Sequence, residues 1–403
     1  MEWKLSELSV DGKGHYGIGA PAIPYDKNKP TYLRITDIND DGTINFLDLK
    51  SVDDEDSNKY LLKENDIVFA RTGNSTGRSY FYQKEHGDFV YAGFLIKFSI
   101  DPQKVNPKIL KYYTHSQEYY NWVKSFDTGG TRGNINAKTF GDMPISLPKR
   151  CVQDKIVGIL SALDAKIENN NKINGNLEAQ AQALFKSWFV DFTPFKDHPF
   201  IDSELGPIPQ GWKVGKLGDL GDIVGGSTPS KSKPEYYTTH GIAWLTPKDL
   251  STSKAKFTSR GEIDITDEGY NSTSTKLMPR GSVLFSSRAP IGYLTIAKNE
   301  ICTNQGFKSL VPNGAGTGFI YYSLRHLTPQ IENRATGSTF KEASATLMRS
   351  VETIVPPTSI LNKFEELLRP ILQFQEKKEK ENQRLAALRD TLLPKLMSGE
   401  IKL

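Results

Sequence analysis

At 403 residues and 45.1 kDa the chain has room for two or three domains that each bury a core, and its net charge of +4 is too mild to mark a nucleic-acid binder by itself. Cys151 and Cys302 are too few for a disulfide framework or a tetrahedral metal site, which favours a reducing intracellular compartment. No apolar run reaches membrane-spanning length and MEWKLSELSV lacks a signal-peptide pattern, so a soluble cytoplasmic protein without membrane contact is expected.

From the N-terminus, short apolar runs broken by Gly, Pro, Asn and Asp predict strands at PTYLRITDI (30–38), DIVFAR (66–71) and DFVYAGFLIKFSI (88–100). A tyrosine-rich helix is predicted over KILKYYTHSQEYYNWVKSF (108–126), followed by TGGTRGNINAKTFGDMPISLP (128–148). These make a first globular domain, residues 1–149. After Pro148 the period changes. Val152, Ile156, Ile159 and Leu163 alternate spacings of four and three, and the pattern continues through Lys166, Asn170, Ile173, Leu177, Gln180 and Leu184. That heptad-like seam predicts a long helix over 150–190. The proline-rich DFTPFKDHPFIDSELGPIPQG, 191–211, lacks periodicity and predicts a stiff, extended connector. A second mixed segment, 212–357, carries strands at IAWLTPKDL, SVLFSSR and IGYLTIA, a tyrosine-rich helix at GFIYYSLRHLTPQIENR, and TGSTFKEASATLMRSVETIVPP. The last segment, 358–403, repeats the seam with Ile360, Phe364, Leu367, Ile371, Phe374, Lys378, Glu381, Leu385, Leu388 and Leu392, and Pro370 predicts a kink or short break in that helix.

Sliding the sequence along itself by 208 residues places Thr128, Gly129 and Thr131 on Thr336, Gly337 and Thr339, and Pro148 on Pro356. Val152, Ile156, Ile159, Leu160 and Leu163 then fall on Ile360, Phe364, Leu367, Leu368 and Ile371. WKLSEL at 3–8 meets WKVGKL at 212–217 at a shift of 209. The chain is therefore two copies of one unit, an α+β globular domain followed by a long helix. One such helix alone would be expected to pack on its own domain. Two in one chain favour an antiparallel pair, its register fixed by Lys166 and Asn170 against Lys378 and Glu381.

Signatures of catalysis are missing. There is no Asn/Asp-Pro-Pro-aromatic tetrapeptide of amino-methyltransferases, since VPPT at 355 lacks both the polar first residue and the aromatic fourth. GDIVGGST lacks the lysine of a phosphate-binding loop, and YGIGAP at 16–21 is too poor in glycine for a dinucleotide fingerprint. The histidines at 15, 86, 115, 198, 240 and 326 have no metal spacing. No catalytic residue and no metal ligand is assigned. The remaining candidates are loops suited to a polyanion. ARTGNSTGRSY (70–80) offers Arg71, Thr72, Asn74 and Arg78 among small residues that let a backbone approach, with Ser75 and Thr76 as further hydroxyls. Its counterpart SSRAPIGYL (286–294) offers Ser286, Ser287 and Arg288. The segment before each long helix adds Arg132, Asn134, Asn136 and Lys138 in the first copy, and Lys341 and Arg349 in the second, where Lys248 is also assigned. Arginine can grip guanine bidentately, and hydroxyl and amide groups can bond phosphates or base edges. Charge is uneven as well, with 19 Lys plus Arg against 20 Asp plus Glu in 1–149 and 17 against 12 in 212–357.

The order of domain, long helix, DSELGPIPQGWKVGKLGD connector, domain and long helix, with the TGGT…PISLP and TGST…IVPP blocks and the terminal LRDTLLPKLMSGEI, resembles the specificity subunit of type I restriction-modification systems over the whole chain. The resemblance implies two target recognition domains spaced by an antiparallel coiled coil and related by a pseudo-two-fold axis. It further implies recognition of a bipartite, asymmetric site in double-stranded DNA. It places adenine methylation and cleavage on partner chains, two methyltransferase subunits and nuclease/translocase subunits, which would hold S-adenosylmethionine, ATP and Mg²⁺. No cofactor is expected on this chain. Two rivals remain at this level: a coiled-coil adaptor that does not read DNA, and part of a site-specific DNA enzyme, which would need a catalytic motif.

Overall fold

The computed structural model describes residues 2–126, 133–253, 255–337 and 341–403. The chain divides into two compact units, Met1–Ile167 with Arg384–Leu403, and Glu168–Gln383. Each unit thus combines one globular domain with parts of both long helices.

In the first unit, β1 (His15–Tyr16), β2 (Asp66–Ala70), β3 (Ser79–Phe81) and β4 (Leu95–Ser99) form an antiparallel sheet of order β1-β4-β2-β3. All five residues of β2 are buried, and their alternation decides which core each joins. Ile67 and Phe69 pack with Phe98, Tyr113 and Phe140 on one face, whereas Val68 and Ala70 pack with Leu33, Tyr80 and Leu95 on the other. The expected single strand at 88–100 is two. Phe89–Tyr91 joins a separate four-stranded sheet with Ala22–Pro24, Lys50–Val52 and Thr31–Leu33, and the chain turns before β4.

The second unit repeats this frame. Its strands β5 (Gly221–Gly225), β6 (Val283–Ser287), β7 (Ile291–Ala297) and β8 (Lys308–Pro312) take the order β5-β8-β6-β7, with the short strand Phe257–Thr258 added beyond β7. Again the central strand divides its side chains between two cores, Val283 and Phe285 on one face and Leu284 on the other. Even one glycine contact recurs. A Cβ on Gly17 would fall 2.3 Å from the carbonyl oxygen of Ala92, and one on Gly226 would fall 2.1 Å from that of Asn304. Only glycine fits where the chain after the edge strand crosses so close to another backbone. Away from the frame the units differ. Where the first has its four-stranded second sheet, the second has two short ladders, Tyr237–Thr238 with Asp264–Ile265 and Trp244–Leu245 with Cys302–Thr303. In the second ladder TPKDL, expected to extend the strand, instead begins the helix Pro247–Thr252, with proline in its first turn and Asp249 Oδ2 accepting from Thr246 N–H and Oγ1.

Each domain is closed by pairing its two ends. Glu2–Lys4 runs antiparallel to Pro144–Ser146, with Trp3 opposite Ile145, and Lys213–Lys216 runs antiparallel to Glu352–Val355, with Val214 opposite Ile354. The tyrosine-rich segment of the first copy is broken into Ile109–Tyr113 and Gln117–Lys124, because the Ser116 hydroxyl accepts from Tyr119 N–H and restarts the helix as an N-cap. Its counterpart Thr317–Arg334 is continuous.

The connector is not extended. Phe200–Ile201 and Ile208–Pro209 pair as a small hairpin, and Phe195, Ile208 and Trp212 enter the core of the second unit. Trp212 meets Phe189 and Phe195 with ring centroids 5.8 and 5.0 Å apart. The aromatic residues among the prolines found a surface to bury against, which composition alone could not reveal.

The long helices are α1 (Arg150–Phe189) and α2 (Thr358–Met397). Helix α2 continues through Pro370 without the break that was one of the two expected outcomes. A proline in a helix interior costs about 3 kcal/mol. Burial of Phe364 and Leu368, each contributing roughly 1.5–3 kcal/mol, offsets it. The helices run antiparallel. In the second unit Asn170 Nδ2 donates to Asn382 Oδ1 at 2.9 Å, and Gln375 Nε2 donates to Asn174 O at 3.4 Å and Glu178 Oε2 at 3.2 Å. In the first unit Arg389 Nη1 donates to Asp164 Oδ1 at 3.0 Å. The partner of Asn170 is thus Asn382, while Lys378 pairs with Glu381 on its own helix at 2.8 Å. The buried stripe also departs from the heptad seam. Ile159, Leu367, Phe374 and Leu388 are exposed, and Ile156, Val157, Leu160, Leu361, Phe364 and Leu368 are buried. Each helix is covered by a domain as well as by its partner helix, so the buried face turns toward the domain. Among the described residues no helix is long and apolar enough to cross a membrane.

Asp164 also accepts from Lys111 Nζ at 2.6 Å. Burial alone would raise its carboxyl, but Lys111 and Arg389 hold it below the ordinary 3.8. With the folded value depressed, the unfolded chain binds the proton first as pH falls. The contribution of Asp164 is therefore complete above the unfolded value and lost as pH drops through the folded one. Asp164→Asn should lower stability near neutral pH by about 2 kcal/mol. Urea midpoints of wild type and variant should converge as the pH falls through the depressed folded value; a difference that persists unchanged in acid would remove the ion pair as its cause.

Candidate nucleic-acid interface

The backbone places Arg71 at the end of β2 and pins it on both sides. Arg71 N–H donates to Phe94 O at 3.1 Å, and Ile135 N–H donates to Arg71 O at 2.9 Å. Strand β2 thereby meets the segment leading into the short helix Ala137–Gly141. The guanidinium lies between two aromatic rings, 5.3 Å from the centroid of Tyr16 and 5.6 Å from that of Phe94, and Nη1 donates to Asn134 Oδ1 at 3.4 Å. Its Nε is buried without a partner among the described residues. Tyr16 and Phe94 are 45% and 55% exposed. Tyr16 is fixed there because its hydroxyl oxygen accepts from Ala137 N–H at 3.1 Å. The result is a cation held between two aromatic rings, with no ion pair among the described residues to direct its fork.

Around it the structure gathers Thr72, Asn74 and Asn134, with Asn74 and Asn134 exposed, and Lys138 exposed on the short helix. Thr76 and Asn136 serve the frame instead. Thr76 Oγ1 donates to Gly73 O and Gly133 O, and Asn136 Oδ1 accepts from Thr139 N–H as an N-cap. Arg78 also departs from expectation. Its Nε donates to Asp40 Oδ1 at 2.6 Å and its Nη1 to Ile38 O at 3.1 Å, so its fork ties down the 38–40 loop. Arg132 lies outside the described residues. Tyr16 and Phe94 were missed by sequence reasoning. An isolated aromatic beside glycine, as in HYG and AGF, carries no signal until the fold brings it to an arginine.

In the second unit the position of Arg71 is taken by Ser287. Ser287 N–H donates to Gly306 O at 2.7 Å and Ala343 N–H donates to Ser287 O, the same two ties. Ser287 is fully buried, its hydroxyl without a partner among the described residues, and Ser286 is buried with its hydroxyl bonded to Pro290 O. Both hydroxyls are enclosed in this structure, where the loop position of Ser287 had suggested an exposed one. Arg288 starts one residue later and reaches Glu342 Oε2 at 3.4 Å, while Lys308 Nζ reaches Glu342 Oε1 at 3.3 Å. At the repeat spacing Glu342 is the counterpart of Asn134. The same frame thus carries an arginine beside an amide in one domain and two cations sharing a carboxylate in the other. Lys341 and Arg349 are exposed, with Lys341 Nζ near Glu332 O and Arg349 Nη2 near Ile223 O at 3.3 Å. Lys248 sits elsewhere, on the helix Pro247–Thr252, paired with Glu262 at 3.0 Å.

Among the described residues no three or more His, Cys, Asp or Glu side chains are grouped so as to hold a metal ion. The Cys302 thiol is buried and pushed up to about 12 by that burial, far from a reactive thiolate.

A family model described as type I restriction modification DNA specificity domain matches residues 23–179 and 209–386, one copy after the other. The specificity subunit of type I restriction enzyme MjaIX from Methanocaldococcus jannaschii is 36% identical over 187 residues, covering 46% of this chain and 43% of that relative. The chain therefore aligns with less than half of that relative's length. The HindI specificity subunit of Haemophilus influenzae is 26% identical over 406 residues, covering 85% of this chain and 88% of the relative. Among solved structures, a type I restriction-modification S subunit from M. genitalium superposes with a TM-score of 0.58 at 15% identity, covering 98% of this chain and 96% of that one, a likeness of fold.

If the Arg71 fork meets a base edge, Arg71→Ala should cost about 1–3 kcal/mol on the preferred duplex and relax discrimination at one base pair. Arg71→Lys should lose the same discrimination while retaining non-specific, salt-dependent affinity, because a lysine keeps the charge and not the fork. Competition binding against single-base variants separates the two, and unchanged discrimination in both variants would exclude Arg71 from base contact.

Proposed function

Because the chain belongs to the type I restriction-modification DNA specificity family, we propose that it is the non-catalytic subunit that reads a bipartite, asymmetric sequence in double-stranded DNA, one half-site per domain. The observation that carries this reading is the frame used twice with different chemistry at one strand end. Arg71 stands between Tyr16 and Phe94 beside Asn134, and Arg288 with Lys308 stands at Glu342. Identical frames present their loops alike to DNA, and different side chains on them read different bases. A carboxylate beside two cations is suited to a different donor and acceptor pattern from an amide beside an arginine, which supports half-sites of unlike sequence.

Residues 1–149 and 212–357 are the reading domains, and α1 and α2 form the antiparallel coiled coil that spaces them. Two half-sites on one face of a duplex recur about every 34–36 Å, so a reader of both needs a spacer that does not bend. Paired helices supply one, since a 40-residue helix is roughly 60 Å long and its polar contacts at Asn170, Asn382 and Gln375 resist slippage. Methylation of adenine and cleavage belong to partner methyltransferase and nuclease/translocase subunits, which bring S-adenosylmethionine, ATP and Mg²⁺. This chain contributes sequence choice.

Two outcomes test the reading. The purified chain alone should transfer no methyl group from S-adenosylmethionine to DNA, and activity that survives removal of contaminants would overturn the non-catalytic assignment. With methyltransferase partners, exchanging residues 1–149 for the matching domain of a relative should change one half of the methylated sequence and keep the other. Genome-wide mapping of methylated adenines reads this directly, and alteration of both halves in an assembled complex would contradict one half-site per domain.

A further inference from the structure

Each unit contains a polar knot in which a reading domain grips both long helices through one carboxylate of α1. In the first unit Asp164 accepts from Lys111 Nζ at 2.6 Å and Tyr112 OH at 3.0 Å, both from the first tyrosine-rich helix, and from Arg389 of α2 at 3.0 Å. In the second unit Glu178 accepts from Lys256 Nζ at 2.6 Å, Tyr322 OH at 2.9 Å and Arg325 Nη1 at 3.1 Å, all from the domain, and from Gln375 of α2 at 3.2 Å. Lys256 also donates to Gln375 Oε1 at 3.0 Å and lies 4.6 and 4.7 Å from the rings of Tyr321 and Tyr322. Glu379 of α2 adds a grip on the backbone, accepting from Lys256 N–H at 2.8 Å and Phe257 N–H at 3.2 Å. Lys256, Tyr322 and Gln375 are all buried. The knots are not copies in sequence: one carboxylate is an aspartate and the other a glutamate, and the cations come from different elements. Both nevertheless combine a lysine and a tyrosine hydroxyl from the domain, a carboxylate from α1 and a donor from α2.

Buried ion pairs add little net stability compared with apolar side chains of the same volume. What they add is direction. The contacts surrounding the second knot, Leu361, Phe364 and Leu368 with Phe185 and Phe319, are apolar and tolerate a shift of one helix ridge. A carboxylate that accepts from the domain and from the other helix at once has one satisfactory arrangement, because any shift leaves unpaired a charge that is partly buried in the first knot and, at Lys256, buried in the second.

We propose that Asp164 and Glu178 are positioning residues that fix the orientation of each reading domain on the helix pair, and thereby set how narrowly the chain tolerates a change in the gap between half-sites. The proposal rests on the bipartite reading given above. It is tested with the assembled methyltransferase complex on duplexes that keep both mapped half-sites and carry the preferred gap, one base pair fewer or one more. Glu178→Gln should reduce the preference for the native gap at least tenfold while leaving discrimination within each half-site unchanged, and Asp164→Asn should act in the same direction. Tyr322→Phe keeps every apolar contact and removes one hydroxyl from the knot, so it decides the matter if a charge variant fails to assemble; a reduction of about threefold is expected. Leu361→Ala, which loosens the same core without touching the knot, should lower activity on all three gaps alike. Native gap preference in Glu178→Gln and Tyr322→Phe would overturn the proposal, as would an equal loss of preference in Leu361→Ala. A wild-type complex with no gap preference would instead remove the bipartite reading itself.

Discussion

Each domain depends on the pairing of its own first and last residues. Glu2–Lys4 lies against Pro144–Ser146 and Lys213–Lys216 against Glu352–Val355, so the chain enters and leaves each domain at one place, immediately before a long helix. A ladder of three or four residues would be marginal alone. Here it is held by buried neighbours, Leu5, Leu8 and Ile145 in one copy, and Leu217 and Val351 in the other. The glutamate of LSEL and the aspartate of LGD reinforce it, accepting from the N–H of Lys4 and Lys216 at 2.7 and 2.8 Å. Everything between the two ends can then change without moving the junction to the helix.

That constraint explains why the two halves share a frame and differ in detail. The order of the four main strands is the same in both, and so are the backbone ties at Arg71 and Ser287. The segments inserted between those strands fold as a four-stranded sheet in one unit and as two short ladders in the other. At the shared strand end, the side chains that carry charge are supported in opposite ways. Arg71 is steadied by aromatic faces and, among the described residues, has no carboxylate in hydrogen-bonding contact, whereas Arg288 shares Glu342 with Lys308. An uncompensated arginine favours acceptor-rich groups, and a carboxylate in the same place introduces an acceptor of its own.

The helices carry the complementary constraint. Their mutual contacts include side-chain amides that a purely apolar seam would have excluded, Asn170 with Asn382 and Gln375 on the backbone carbonyl of Asn174. Such groups cost stability when buried and restrict register. The exposed Ile159 and Leu367, equivalent by the repeat, show that neither helix spends its whole apolar stripe on its partner. A helix that must satisfy a domain and a second helix at once cannot follow an ideal heptad.

The repeat, the two long helices, the α+β class and the position of the loops before each helix were legible in the sequence, because each rests on local periodicity or on self-similarity. Arg71, Asn134, Arg288 and Lys341 were legible as candidates for the same reason, since residue type and repeat position mark them. Tertiary structure alone decided the rest. Ser287 looked available beside Arg288, yet strand alternation turns it into the core; Arg78 looked like a second fork, yet Asp40 reaches it from a distant loop. Tyr16 and Phe94 became part of the site only when β1 and the turn before β4 met the end of β2. The connector, Pro370 and the buried face of each helix were likewise settled by what packs against them. Periodicity records which residues favour burial, while the partner that buries them, and the charge that meets an arginine, come from chain segments whose nearness no local pattern encodes.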